Sequence, residues 1–370
     1  MARIKNYELR IMEKYKKIIL GIESSCDETS AAVVRVKCQM SNVKCFEILS
    51  NIVLSQIDIH KKYGGVVPEV AARSHIKNIL PVIQGALDEA CVSQKDIDAI
   101  AVTNGPGLIT SLMVGAETAK TLAYLWQKPI VAVNHLKAHI YAAWLQEAKS
   151  YKLKAISFPV LALVVSGGHT ELVFMKNEKS FKKIGQTLDD AAGEVFDKVA
   201  KILDLGYPGG PIISKYAESG NPQAFAFPRP IMDSKDFNFS FSGLKTSVLY
   251  KVQEIKRQEQ KKFQVSSFKF QENIAASFQQ SVVDVLVYKT IKATQQYKVK
   301  TLIMGGGVAA NKLLRQTMKS EAEKNGVPCI IPEIRLCTDN AAPIAVAGYF
   351  GKPIPWQKID VDPGLDISEN

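Results

Sequence analysis

Histidine is scarce in this chain: five occur in 370 residues, at positions 60, 75, 135, 139 and 169. Cysteine is nearly as sparse, with six residues and no C-x-x-C pair, so neither a zinc knuckle nor a dithiol redox motif is present. So thin a set argues against a secreted, disulfide-held fold and for a reducing compartment. No uninterrupted apolar run approaches the roughly 18 residues of a membrane helix, and no span is expected. Glycine (23) and proline (16) are too few for a collagen-like or low-complexity chain. Acids are outnumbered, 36 against 47 Lys and Arg, which leaves a net charge of +11.

What the chain does have is a globular composition, 46% hydrophobic and 22% charged. That is enough apolar surface to offset the entropy of ordering, and it excludes a mostly disordered protein. The length suggests two domains. The positive charge is concentrated in residues 1–17 and 251–270, each with six Lys or Arg against two Glu. Such segments suit a polyanion, nucleic acid above all, although a solvated surface would carry the same charge. Residues 1–17 have no apolar core before Ile18 and do not read as a secretory signal. They read as a basic tail or the remnant of a mitochondrial transit peptide, with Glu8 and Glu13 counting against a complete one.

Periodicity gives an α/β protein with two similar halves. In the first, strands are expected at 17–23, 30–36, 46–53 and 97–105, with helices at 67–91 and 108–127. In the second, strands are expected at 159–168, 170–176, 181–187 and 299–307. Helices there are expected at about 190–204, 209–219, 242–257 and 268–297, with another beginning near Ala309. The expected organisation is a tail at 1–17, an N-terminal lobe at 18–158, a C-terminal lobe at 159–350 with a basic insertion at 251–270, and a tail at 351–370. GIESSCDETSAAVV and VVSGGHTELVF both read as strand, small polar turn, strand. IAVTNGPGLITS and LIMGGGVAANKL both read as strand, Gly-rich turn, helix start. Turns of both kinds present backbone N–H groups to anions, and two facing pairs would clamp a nucleotide's phosphates. Any one of them alone merely ends a strand tightly.

His135 and His139 form H-x-x-x-H in AVNHLKAHIYAAW. With so few histidines, a chance pair at this spacing is improbable, and on a helix the two share a face one turn apart. A metal pair is therefore preferred to a helix surface with two incidental histidines. Zinc proteases place Glu at the second position of such a motif, but Leu136 stands there. In CTDNAAPIAVAGYF, Asp339 lies at a helix start, where spacing alone reads it as a cap.

These letters resemble a family. GIESSCDETSAAVV, HKKYGGVVPEVAARSH, NGPGLITSLMVG, NHLKAHIYAAW, LVVSGGHTELV, TLDDAAGEVFDKVAK, YPGGP, FSFSGLKT, GGGVAANKLLR and TDNAA are similar, in order, to the blocks of the TsaD family, the tRNA N6-adenosine threonylcarbamoyltransferases. The blocks run from about Gly21 to Gly348. The match departs at both termini, in a loop near 37–45 and in the basic insertion. TLDDAAGEVFDKVAK and SGGHT resemble the bacterial and mitochondrial branch.

The resemblance implies the two-lobed actin-like, Hsp70-like ATPase fold, a duplicated ribonuclease-H-like α/β architecture. It implies one divalent metal per subunit, zinc or iron, held by His135, His139 and Asp339. It implies a substrate, threonylcarbamoyl-AMP, supplied by a separate synthase and bound through Val164, Val165, Ser166, Gly167, Gly168, Asp197, Gly210 and Asn311. In that setting Asp197 accepts from ribose hydroxyls, its bland alternative being a helix-surface acid paired with Lys198 or Lys201. Gly210 admits close backbone approach, and Asn311 offers a donor and an acceptor. No general base is named; Glu23 and Asp27 are candidates that could equally cap a turn. The further expectations are tRNA as partner, a homodimer, and the mitochondrial matrix, with a bacterial cytoplasm as alternative. A metalloprotease and an Hsp70-like nucleotide-switched binding module are the competing functions.

Overall fold

The computed structural model describes residues 17–38, 44–145, 156–262 and 269–369. Most of the basic N-terminal segment, and residues 263–268 of the insertion, lie outside the described residues. The chain forms two compact units. One takes residues up to Asp58, Val66–Ala155 and the stretch from Thr338 onward; the other takes Ile59–Gly65 and Ile156–Cys337.

The sheet of the first unit is built from β1 (Lys17–Glu23), β2 (Glu28–Cys38), β3 (Lys44–Ser55), β4 (Ala99–Gly105) and β5 (Ile130–Asn134), in the order β3-β2-β1-β4-β5. β1, β2 and β3 run antiparallel, and β1, β4 and β5 run parallel. The second sheet repeats the plan with β6 (Val160–Val165), β7 (Thr170–Met175), β8 (Lys182–Gln186), β9 (Thr301–Gly305) and β10 (Cys329–Ile330), in the order β10-β9-β6-β7-β8. Here too the first three strands are antiparallel and β6, β9 and β10 are parallel. The duplication seen in the letters is thus a duplication of topology.

In the first unit, Leu20, Ile22, Ala31, Val33, Ile100 and Val102 point to one face of the sheet. They pack on Ile79, Val82, Ile83, Ala86 and Leu87 of α1 (Pro68–Glu89) and on Ala116, Ala119 and Ala123 of α2 (Ile109–Trp126). Pro68 opens α1, where its missing N–H leaves no bond unmade. A short helix, α3 (His135–Tyr141), follows β5 directly. The second unit adds α4 (Ala192–Ile202), α5 (Gly209–Ala217), α6 (Ser242–Lys262), α7 (Lys269–Gln296) and α8 (Lys312–Lys324) around a core rich in Phe196, Phe239, Phe241 and Phe278.

Two features differ from expectation. The five-residue β5 and the two-residue β10 have no counterpart in the sequence reading, because both are too short to display alternation. The second lobe was expected to run to residue 350, yet the chain rejoins the first unit at Thr338. The helix α9 (Ala341–Phe350), apolar on every side, covers the other face of the first sheet. It sits so close that a Cβ on Gly21 would lie 2.3 Å from the Ala341 carbonyl oxygen and 2.9 Å from the Ala345 nitrogen. The following residues also stay with this unit: Ile354 N–H donates to Ile130 O at 3.0 Å, and Ile359 and Ile367 are buried.

Gly21→Ala must push α9 from the sheet, since the obstructing atoms are backbone. A loss of about 1–3 kcal/mol is expected for such overpacking. Gly85→Ala, on α1 with only Ile52 Cγ1 at 4.0 Å from the added carbon, should instead be neutral or stabilising by up to about 1 kcal/mol. Urea midpoints of the two variants against the parent chain check this contrast.

Candidate active site

The carboxyl ends of the parallel strands β1, β4 and β5 bring together the groups that the sequence singled out in the first unit. β5 ends at Asn134, whose side-chain oxygen accepts the N–H groups of Leu136 (2.9 Å) and Lys137 (3.1 Å) and so starts α3 at His135. His135 and His139 stand one turn apart, their ring centroids 4.6 Å from each other and their planes at 75°. Both are buried, at 8% and 4% exposure. The expected alternative of two incidental histidines on a helix surface is therefore corrected. Asp339 joins them from the turn before α9. It does not cap that helix: Asn340 does, accepting from Ala342 N–H at 3.3 Å. Asp339 Oδ1 instead lies 3.5 Å from His135 Nε2 and 3.4 Å from His139 Nε2.

These three residues could hold a cation. The separations exceed the usual N–H···O length, and they match donors spaced around one ion at bond lengths of about 2.0–2.2 Å. His139 Nε2 is fully buried and makes no hydrogen bond. His135 is oriented from behind, its Nδ1 2.9 Å from Glu23 Oε2. An ionised carboxylate there accepts the hydrogen bond from Nδ1–H and leaves the Nε2 lone pair for a metal. Ser25 Oγ lies 3.3 Å from the same nitrogen.

Glu23 is 1% exposed and its lone pairs are in use. Oε1 accepts from Ser25 N–H at 2.6 Å, and Oε2 accepts from Thr103 Oγ1 at 2.7 Å as well as from the imidazole. A carboxylate so engaged orients His135, which is a different task from the base considered for it. Asp27 is buried in the same turn, and its carbonyl accepts from Gln56 N–H at 3.0 Å. Two contributors escaped the sequence reading. His75 is fully buried and secures the turn, with Nδ1 2.8 Å from Thr29 Oγ1 and Nε2 2.9 Å from Cys26 O. Glu28, half-buried, accepts from Ser55 Oγ at 3.0 Å. The scarcity of histidine was the one signal that could have pointed to His75.

The charges are strongly coupled. Burial disfavours the Asp339 carboxylate, but His135 and His139 beside it hold it well below the usual range. Burial likewise opposes the His135 imidazolium, and the Asp339 and Glu23 carboxylates outweigh it, so that its pKa lies well above 6.5. Glu28 is pushed up to about 9 by burial and by the Asp339 and Asp27 carboxylates.

In the second unit the expected substrate residues gather at the carboxyl ends of β6 and β9, where open α/β sheets place ligands. Ser166 turns the chain between β6 and β7: its N–H donates to His169 O at 2.8 Å, and its Oγ accepts from His169 N–H at 3.2 Å. Gly167 and Gly168 are exposed, with no atom within 4 Å of a Cβ built on either. Val164 and Val165 are fully buried, so any part they take in binding passes through their backbone. A Cβ on Gly193, in the first turn of α4, would lie 2.5 Å from Ser166 O. On the same helix, Asp197 Oδ1 accepts from Gly209 N–H at 2.6 Å and thereby ties α4 to the start of α5. Lys198 pairs with Asp190 and Glu194 rather than with Asp197. Gly210, beside Gly209, faces open space. Asn311 caps α8 through Oδ1, 2.9 Å from Leu314 N, and its Nδ2 donates to Ser214 Oγ (2.9 Å) and Gln279 Oε1 (2.7 Å). Its amide is therefore already engaged on both sides.

The folding plan and the His–His–Asp set define an α/β protein of duplicated topology with a candidate metal centre in its first unit. A solved structure, that of T. kodakarensis HypF, aligns over 91% of this chain and 47% of its own at a TM-score of 0.56 and 14% identity, which supports the fold. The family model of TsaD, tRNA N6-adenosine threonylcarbamoyltransferase, matches residues 47–346, and the chain belongs to that family. The proteins of that name from Thermosipho melanesiensis and Staphylococcus aureus strain JH9 are 50% and 48% identical to it. The alignments cover 90% of this chain and 94% and 91% of theirs.

The coupled charges set a pH dependence. In metal-stripped protein near pH 7, His135 and Glu28 each hold a proton that a cation would displace. Zinc uptake is expected to release about one to two protons and to tighten between pH 6 and 9. Calorimetry in buffers of different ionisation enthalpy checks the count. The folding contribution of the raised His135 has the opposite sign. In stripped protein it is complete below pH 6.5 and is lost as pH climbs through the raised value.

Proposed function

We propose that this chain transfers the threonylcarbamoyl group of threonylcarbamoyl-AMP, made by a separate synthase, to N6 of the adenosine 3′ of the anticodon in tRNAs reading codons that begin with A. The observation that carries the reading is the pair of buried histidines, His135 and His139, with the half-buried Asp339 beside them, held from behind by Glu23, in a chain of this family. In the reaction the N6 amine forms a bond to the carbamoyl carbon, the bond from that carbon to the phosphate oxygen breaks, AMP leaves with the electron pair, and the amine gives up a proton. A divalent cation on the three side chains would supply Lewis acidity. The chain's own part is to orient His135 through Glu23, Thr103 and Ser25, and to offer the N–H groups of Gly167 and Gly168 to the adenylate phosphate. Asp197 accepts from the ribose hydroxyls, and Gly210 leaves room for close approach. Asn311 reaches the adenylate by exchanging Ser214 or Gln279 for it.

A protease reading lacks support, because α3 reads His-Leu-Lys-Ala-His-Ile-Tyr and carries no carboxylate to serve as base. For location, no helix among the described residues is long and apolar enough to cross a membrane. The bacterial relatives favour a bacterial cytoplasm and the basic N-terminal segment favours the mitochondrial matrix; import of the full chain into isolated mitochondria separates the two. We also infer a homodimer formed through the face of α1 and α2, where the exposed Ile76, Leu80 and Met113 line one apolar groove that a second copy would cover.

Two experiments test these readings. With threonine, bicarbonate, ATP, the adenylate-forming enzyme and unmodified tRNA, the parent chain should yield the modified nucleoside by mass analysis. His139→Ala should yield none. Because His139 is buried, that variant should lose about 1–3 kcal/mol of stability yet keep a cooperative transition and adenylate binding. Product from chelator-treated His139→Ala protein would sink the metal role. For the dimer, Leu80→Glu with Met113→Glu should convert a dimeric parent to a monomer in sedimentation equilibrium; a monomeric parent rejects the interface.

A further inference from the structure

The segment after α9 crosses the carboxyl ends of β4 and β5, the edge that carries the candidate metal centre. Asp362 N–H donates to Asn104 O at 2.8 Å, and Gly107 N–H donates to Pro363 O at 3.3 Å. A Cβ on Gly105 would lie 1.9 Å from Asp362 O, so only glycine admits the crossing. Ile367 is fully buried beyond it, and Lys137 Nζ donates to Glu369 O.

The decisive residue is Asn134. While its Oδ1 starts α3, its Nδ2 donates to Leu365 O (3.4 Å) and Asp366 O (3.2 Å). One amide thus grips the crossing segment with its donors and the histidine helix with its acceptor. A second route leads to the same imidazole. The segment holds the turn after β4, Leu108 N–H of that turn donates to Ser25 O at 2.8 Å, and Ser25 lies against His135 Nδ1. Both routes end on the ring that the site must hold still. Small displacements matter there, because altering the groups behind a ligand typically costs about 10–100-fold in metal affinity.

We propose that residues 362–369 form a strap which, through Asn134 as a positioning residue, fixes the helix bearing His135 and so sets how tightly the His135–His139–Asp339 set grips its cation. The proposal rests on the metal reading above.

Two variants test it. Asn134→Asp keeps an acceptor for the helix N–H groups but sets a carboxylate against the two strap carbonyls. A chain ending at Val361 lacks the strap. In metal-stripped protein, exchange of the Leu136 and Lys137 amides should accelerate in both variants while second-unit amides keep the parent's rates. Zinc affinity, read by competition with a chromophoric chelator, should weaken by about 10–100-fold. In the tRNA assay the half-saturating metal concentration of Asn134→Asp should rise by the same factor, with the maximal rate recovered at saturating metal, which a merely unstable protein would not show. Should the shortened chain fail to fold, Asn134→Asp decides alone. Parent-like zinc affinity in that variant, whatever its exchange rates, overturns the proposal. A parent chain that takes up neither zinc nor ferrous iron overturns the metal reading and the proposal with it, and amide exchange then reports only on helix packing.

Discussion

The hydrogen bond between Glu23 and His135 is the contact on which the first unit's chemistry turns. A carboxylate at 1% exposure is tolerable only if its oxygens are met, and here two hydroxyl or amide groups and one imidazole meet them. The bond fixes the imidazole's tautomer, so Nε2 must look toward His139 and Asp339. It also draws together β1, β4 and β5, since Glu23 ends the first, Thr103 belongs to the second and His135 follows the third. The central strands of the sheet are thereby aligned by the same contact that prepares a ligand.

The two units share a strand order and place their polar residues at corresponding edges, yet the edges differ in charge. The first gathers Glu23, Asp27, Glu28 and Asp339 with two histidines, a setting for a cation. The second offers Gly167, Gly168 and Gly210, whose backbone N–H groups suit an anion. Much of the basic character of the chain lies in residues 1–17 and 251–270.

Most of the fold was legible because long elements repeat their signals. α7, at 28 residues, and strands such as VLALVV declare themselves. β5 did not, and neither did the return of the chain at Thr338, because nothing in AAPIAVAGYF says which of two similar sheets it covers. At the site, the spacing of His135 and His139 was visible, but their burial was not. Asp339 could not be told from a cap by spacing, since Asn340 one residue on is an equally good one. The role of Glu23 was hidden for another reason. Its partners come from residues 25, 103 and 135, and hydrogen bonds across that separation leave no local trace.

That return at Thr338 has a consequence for how the protein is made. The candidate ligand set draws on residues 135, 139 and 339, and among the described residues α9 closes the face of the first sheet. A ribosome has therefore synthesised the whole of the second unit before the first can be completed. Until then Gly21 and its neighbours on the sheet lack their cover, and the two histidines lack their carboxylate. Contacts spanning some 200 residues form slowly, and domains emerging in order usually fold in order. Here the unit that starts before the second is completed after it, and a cation on His135, His139 and Asp339 could be captured only once residue 339 has been made.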